Sequence, residues 1–382
     1  MKALHLINGE FYSGAERVQD LLASNMPAFG YEVDFAALKL GRFAECRQAS
    51  QARLFEVPMG SRFDLRTAWQ VARLLREGNY RLLHTHTARS AMIGRVAAGL
   101  AQLPMVHHVH SPAARDTQTA WRNTINTAVE RWSLAGASRM IAVSSSLRQY
   151  LEQKGFPADR IEVVPNGVPV QERPIVWRAP AGPWVIGTVG LFRPRKGIEV
   201  LVQALRLLVE RGFDVRLRAV GSFEEPGYQQ ALVQLAKHLG VLDRIEWTGF
   251  TADVGAELRR LDLFVLPSLY GEGLPMALIE AMAIGLPVVA TAVEGTPEVL
   301  TPAGAGLLVA PGDAGQLADA IGSLIAMGEG AREFAEAGRR RQVERYSETV
   351  MACAVAKVYD DVLAPNTGIN ESESKNKLGV QV

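Results

Sequence analysis

The chain predicts an α/β protein of two doubly wound, Rossmann-like domains facing each other across a cleft, and three observations carry that expectation. Apolar runs of strand length alternate with helix-period segments from one end to the other, the pattern of repeated βαβ units and parallel sheets. At 382 residues the chain is long enough for two separate cores. A Pro-containing stretch, QERPIVWRAPAGP, follows Pro165-Asn166-Gly167 and runs to about Pro183, separating one series of strands from a second.

In the first half, ALHLI, VDFAAL, LLHTHT, MVHHVH, MIAVS and IEVVP read as strands, with helices such as Ala15 to Met26 and Thr67 to Glu77 between them. The N-terminal KALHLI has one basic residue and then a short alternating apolar run, so it reads as a first strand and not as a signal peptide. WVIGTVG, VRLRAVG, IEWTGF, LFVLPS, PVVAT and GLLVA form the second series. These series predict a first domain over 1–170 and a second over 171–346. Residues 364–382 are polar and lack periodicity, which predicts a disordered tail. Its Asn370, in an Asn-Glu-Ser triplet, fits a glycosylation pattern by accident of sequence.

Composition is that of an ordinary soluble protein. Two distant cysteines, Cys46 and Cys353, give neither a disulfide framework nor metal-ligand spacing, which fits a reducing, cytoplasmic compartment. Net charge is +1, divided unevenly: residues 1–170 carry +6 and the remainder −5. The excess sits partly on Arg62, Arg66, Arg73 and Arg76, with Phe63, Leu65 and Trp69 interleaved along a helix. Such a face either rests peripherally on an anionic membrane, here the inner face of the plasma membrane, or is a solvated helix surface. No dense basic patch accompanies a reading motif, so nucleic acid is not expected as a partner.

The chemistry concentrates in GEGLPMALIEAMAIGLPVVAT, from Gly271 to Thr291. Gly271 and Gly273 allow unusual backbone, Pro275 suits the first position of a helix, and the helix is expected to begin near Leu274. Gly285 is a stop signal, and LPVVAT reads as a buried strand. Glu272 then lies in a loop and Glu280 on the helix. The amides from Gly273 through Leu274 to Met276 open a helix start suited to phosphate. Two carboxylates beside a phosphate site suit sugar-hydroxyl recognition. Residues 274–293 are apolar enough in length to cross a bilayer, but Glu280 in the middle and Pro275 and Pro287 argue against it. On this segment alone, a core helix with Glu280 turned outward stays open.

A second element, GTVGLFRPRKGIEVL from Gly187 to Leu201, joins a buried strand, a glycine turn at Gly190, three cations and a helix. Arg193 and Lys196 would neutralise charge growing on a leaving diphosphate. A dinucleotide fold is the competing reading. It fails because GTVGLF lacks the third glycine of the fingerprint and the first strand does not supply one. Histidines number seven, with His84 and His86 in one strand and His107, His108 and His110 in the next. With no cysteine or carboxylate pattern beside them, and neighbours on opposite strand faces, no metal is expected.

The spacing of Glu272 and Glu280, with EGLPMALIEAMAIGLPVVAT and the following EGTPEVL, resembles the E-x7-E signature of glycosyltransferase family 4, retaining enzymes of the GT-B fold. SGAERV, VHHVHSP, IAVSS, VVPNGV, GLFRPRKG, WTGF and LLVAPGD follow the family's order along nearly the whole chain. The resemblance implies transfer of a hexose from a nucleotide diphosphate sugar, UDP- or GDP-linked, to a sugar or lipid-linked acceptor, without a metal cofactor. It implies that Glu280 holds the ribose, Glu272 the sugar hydroxyls, and Lys196 and Arg193 the diphosphate. Gly14 and Ala15 fall on a glycine-rich loop that reaches the donor, with Ser13 in place of its first glycine. His110 falls on a histidine beside the reacting carbon, and Gly249 and Phe250 on the nucleobase site. Asp116 and Arg115 fall in an acceptor loop and Glu298 on the donor side, where a surface helix position is equally compatible. The family's usual Arg is replaced by Leu191, so Arg193 or Arg195 would substitute. A final helix, about 347–363, is implied to cross back onto the first domain. A sugar-nucleotide epimerase of the same fold and a non-catalytic scaffold on it are the alternatives.

Overall fold

The computed structural model describes residues 1–61, 64–111 and 131–364. Every strand pairing in its two sheets is parallel. The first sheet has seven strands: β1 (Lys2–Ile7), β2 (Glu32–Ala37), β3 (Leu54–Glu56), β4 (Leu82–Thr85), β5 (Met105–Val109), β6 (Arg139–Ala142) and β7 (Ile161–Val163). Their order is β3-β2-β1-β4-β5-β6-β7, so the chain winds outward from β1, returns to β4 and winds the other way. The second sheet contains β8 (Trp184–Val189), β9 (Val215–Val220), β10 (Ile245–Gly249), β11 (Leu263–Leu266), β12 (Val288–Thr291) and β13 (Leu307–Val309), in the order β10-β9-β8-β11-β12-β13. Each sheet therefore has a switch point, β1/β4 in one and β8/β11 in the other, where loops diverge and open a crevice at the strand C-termini.

Thirteen helices cover these sheets among the described residues: α1 (Gly14–Asn25), α2 (Arg42–Cys46), α3 (Arg66–Glu77), α4 (Ala88–Ala101), α5 (Ser145–Gln153), α6 (Ile198–Glu210), α7 (Pro226–His238), α8 (Val254–Leu258), α9 (Met276–Ile284), α10 (Thr296–Leu300), α11 (Ala314–Met327), α12 (Arg332–Arg345) and α13 (Glu348–Leu363). Sheets covered on both faces need strands that are apolar throughout. β4, β5, β11 and β12 are accordingly buried at every residue.

The strand β3 has no counterpart in the sequence reading. It is a three-residue edge strand, partly exposed, and too short to carry a period. The sequence also placed the start of α9 too early. Pro275 is its N-cap, in extended geometry (φ −74°, ψ 113°), and not its first helical residue; the helix begins at Met276. The Asn166 side chain donates a hydrogen bond to the Leu274 carbonyl at 2.9 Å and holds that loop out of the helix. Among the described residues no helix is long and apolar enough to cross a membrane. Arg62, Phe63, Arg115, Asp116 and the expected tail from 365 onward, Asn370 included, lie outside the described residues.

Helix α13 returns to the first sheet. Its Tyr359 hydroxyl lies 2.8 Å from His5 Nε2 and 2.6 Å from His84 Nδ1, and Asp360 accepts a 2.6 Å hydrogen bond from Tyr31. The two passages between the halves run side by side, since Val168 and Ser347 form a parallel bridge.

Candidate active site

The C-terminal ends of the two sheets face each other across a cavity of about 350 Å³. From the second half, the loop after β11 brings Glu272 into the wall, buried. Lys196 forms an ion pair with Glu272 Oε1, and Ser268 donates to the same oxygen at 2.6 Å. Burial alone would raise this carboxyl; the Lys196 and Arg195 cations and the two hydrogen bonds outweigh it and hold Glu272 below the usual carboxylate range. Gly197 makes this arrangement possible. It adopts φ +63°, and a Cβ there would stand 2.1 Å from the Pro267 carbonyl, so only glycine lets the Lys196 turn press against the end of β11. Arg195 donates to the Gly271 carbonyl at 2.7 Å, and Glu294 accepts from the Gly271 and Glu272 amides at 3.0 and 3.2 Å.

Glu280 lies one turn into α9 and lines the same cavity. Arg17 of α1 crosses from the first half and forms an ion pair with it, without the alignment of a hydrogen bond. Burial pushes the Glu280 carboxyl up, and Arg17 recovers only part of that shift. Arg193 lines the cavity beside Leu191 and is ion-paired with Glu224 at 2.6 Å, again without hydrogen-bond alignment.

The first half contributes the start of α1 and the end of β5. Ser13 precedes α1, with Glu16 accepting from its amide and hydroxyl at 3.3 and 2.6 Å, which fixes the turn that presents Gly14 and Ala15 to the cavity. Opposite them, Leu274, Pro275 and Met276 form the far wall. Gly273 packs directly on the His110 backbone: a Cβ there would lie 2.1 Å from the His110 carbonyl oxygen. The His110 ring lines the cavity, its pKa lowered by burial to about 4, so it is neutral near pH 7.

Thus His110, Gly14, Ala15, Gly190, Arg193, Lys196, Phe250, Glu272, Gly273, Leu274, Pro275, Met276 and Glu280 all share one cavity wall. Gly249 does not line it. It ends the edge strand β10, and it is the next residue, Phe250, that reaches the cavity, with the Arg42 guanidinium 4.4 Å above its ring. Glu298 is not in the wall either. Its carboxylate accepts from the Ser145 and Ser146 amides at 2.8 Å each, clamping the second half onto the head of α5. Sequence reasoning missed Arg17, Arg42, Phe11 and Asn166, which line the cavity from separate loops. Arg17 and Asn166 had a signal, as parts of SGAERV and VVPNGV; Phe11 and Arg42 had none.

The histidines divide between the strand faces as alternation requires, and a further histidine from β1 joins one group. His107 turns to the far face of β5 and bonds Thr85 at 2.8 Å, whereas His84, His86, His108 and His110 share one face and are joined there by His5 of β1.

Two family models match successive parts of the chain: "Glycosyltransferase Family 4" over residues 12–172 and "Glycosyl transferases group 1" over 170–341. The phosphatidyl-myo-inositol mannosyltransferase of Mycobacterium leprae (strain TN) is 31% identical over 300 residues, covering 77% of this chain and 76% of that protein. The putative colanic acid biosynthesis glycosyltransferase WcaL of Escherichia coli (strain K12) is 35% identical over 192 residues, 48% of this chain and 46% of that one. The crystal structure of Anabaena Alr3699/HepE in complex with UDP-glucose superposes with a TM-score of 0.82 at 22% identity, over 94% of this chain and all (100%) of that one.

Proposed function

We infer, from the premise that this chain belongs to glycosyltransferase family 4 and has the GT-B fold, that it moves a hexose from a nucleotide diphosphate sugar to an acceptor hydroxyl with retention of configuration. The observation that carries this reading is the Glu272–Lys196 pair at the head of α9, set in one cavity with Glu280, His110 and the start of α1. A neutral cavity would not suit a diphosphate; this one offers Lys196, Arg193, Arg195 and a helix N-terminus.

In this reading the two halves are the acceptor-side domain, 1–170 with the returning helix, and the donor-side domain, 171–346. Lys196 and Arg193 neutralise the diphosphate, a service that asks for no divalent ion. Glu280 accepts from the ribose hydroxyls and exchanges Arg17 for them. Glu272, held ionised, accepts from hydroxyls of the hexose. The neutral His110 and its carbonyl stand beside the anomeric carbon as positive charge grows there. The departing phosphate oxygen takes the acceptor's proton on the face it leaves, so no side chain is needed as general base. Closure of the halves excludes water and limits donor hydrolysis.

We take the donor as UDP- or GDP-linked. The mannosyl and inositol relatives and the colanic acid relative favour an acceptor in glycolipid or polysaccharide assembly at the cytoplasmic face of the membrane. Helix α3 supports peripheral contact: Trp69 is 62% and Leu65 49% exposed, beside exposed Arg66, Arg73 and Arg76. Salt-sensitive co-sedimentation with phosphatidylglycerol vesicles, weakened by Trp69→Ala, tests that contact; no binding would remove it.

Proton NMR of a reaction containing donor and a glycolipid acceptor tests the transfer. Consumption of donor with appearance of free nucleoside diphosphate and an anomer of the donor's configuration is the expected result. An inverted anomer would overturn retention, and epimerised sugar with no acceptor dependence would replace transfer by epimerisation.

A further inference from the structure

We propose that His86, His108 and His110 form a binding site for a borderline transition-metal ion such as Zn²⁺ at the floor of the cleft. This departs from the expectation of no metal, which rested on the absence of nearby cysteine and carboxylate and on neighbouring histidines lying on opposite strand faces. The sheet order supplies what the strands alone do not. β5 beside β4 stacks His108 and His110, with ring centroids 4.4 Å apart, against His86, whose Nδ1 lies 3.2 Å from His110 Nε2. One nitrogen from each of the three rings falls within 4.8 Å of the others. Tetrahedral zinc with Zn–N bonds of about 2.1 Å sets its nitrogens about 3.4 Å apart, so small ring rotations complete the site.

The strongest pointer is His108. It is fully buried, and among the described residues neither of its ring nitrogens has a hydrogen-bond partner; His110 Nδ1 is likewise unpartnered. A buried imidazole with both nitrogens idle is destabilising, a cost that an ion would relieve. The outer partners are in place as well. His86 Nε2 lies 3.1 Å from His5 Nδ1, and His5 Nε2 lies 2.8 Å from the Tyr359 hydroxyl, a relay that fixes the ring orientation of a ligating histidine. The inner group of His5, His84 and His86 is less suited, because Tyr359 already occupies a nitrogen of both His5 and His84.

An all-imidazole donor set selects Zn²⁺, Co²⁺, Ni²⁺ or Cu²⁺ and discriminates against Mg²⁺ and Ca²⁺, which need oxygen ligands. The site is therefore not a diphosphate-neutralising metal centre. His110 lines the cavity, which gives the ion its entry path and leaves a fourth position facing the cleft. Occupancy draws the His110 ring away from the reacting carbon, so zinc inhibits transfer. That consequence alone rests on the proposed function; the binding does not.

The test is a Co²⁺ titration of the full chain after dialysis against chelator, followed by Zn²⁺ displacement, read by visible d–d absorption. One equivalent of tetrahedral-type Co²⁺ displaced by Zn²⁺, unaffected by excess Mg²⁺, is expected. His108→Leu should weaken Co²⁺ at least tenfold while leaving the metal-free melting temperature at or above wild type, since it removes idle polar atoms. His110→Ala, at the cleft edge, should give the same loss should the leucine variant fail to fold. His238→Ala, an exposed control on α7, should change nothing. Absence of the bands in wild type, wild-type affinity for Co²⁺ in either folded cluster variant, or loss on His238→Ala would overturn the proposal.

Discussion

Lys196 and Glu272 show how one side chain sets the charge of another: a carboxylate this buried stays ionised only because a cation is held against it. Lys196→Ala removes that cation together with the proposed diphosphate contact, and should lower kcat/KM by about 10²–10³-fold in a steady-state transfer assay. Glu280 stands in the opposite condition. Its folded-state pKa lies above the usual glutamate value of 4.5, so the ionised form is penalised by folding. The penalty is absent below that value and grows until pH passes the raised one. Glu280→Gln should therefore raise the melting temperature of the ligand-free protein at pH 7, by about 2 °C or more, with the advantage vanishing below about pH 4.5, while nucleotide stabilisation is lost. Calorimetric melting across pH checks both halves of that statement. Both carboxylates were legible in the sequence, because a glycine-flanked acid and a helical acid eight positions on sit in one continuous motif. Arg17 was not singled out: nothing in SGAERV says that it reaches across to Glu280.

At the level of elements, the turn before α9 is held by contact, since its N-cap Pro275 makes no side-chain cap hydrogen bond. Gly273→Ala would push its methyl into the His110 carbonyl and separate the loop from β5. It should reduce kcat/KM by about 10²-fold with far-ultraviolet circular dichroism unchanged, since a displacement near 1 Å at the reacting centre is enough. Helix α13 is tied to strands β1 and β4 through the Tyr359 hydroxyl. Tyr359→Phe leaves His5 Nε2 and His84 Nδ1 buried without it and should cost about 1–3 kcal/mol in urea unfolding. Most strands were readable because a parallel sheet covered on both faces demands unbroken apolar runs. β3 escaped because three edge residues make no pattern, and the start of α9 was misplaced because the Asn166 bond that keeps Leu274 out of the helix comes from another part of the chain.

Across the whole molecule, the contacts between the halves include three of different kinds: the Arg17–Glu280 pair, the Gly273–His110 backbone approach, and the Glu298 clamp on the head of α5. Only the first is in a position to be exchanged for a ligand. The clamp lies outside the cavity and acts on assembly, so Glu298→Ala should lower the melting temperature and leave nucleotide affinity within about threefold of wild type by calorimetric titration. The two-sheet architecture was legible from alternation alone. The composition of the cleft was legible only in part, because Phe11 and Arg42 reach their places through sheet order and loop convergence, which leave no local spacing to read. The central claim is that this cleft binds a nucleoside diphosphate through Lys196 and Glu280, and isothermal titration calorimetry with UDP and GDP in the presence of EDTA tests it most directly. One-to-one binding of at least one of them to wild type, lost in Lys196→Ala and in Glu280→Ala, is the predicted result. No heat at millimolar nucleotide, or equal affinity in both variants, would contradict it.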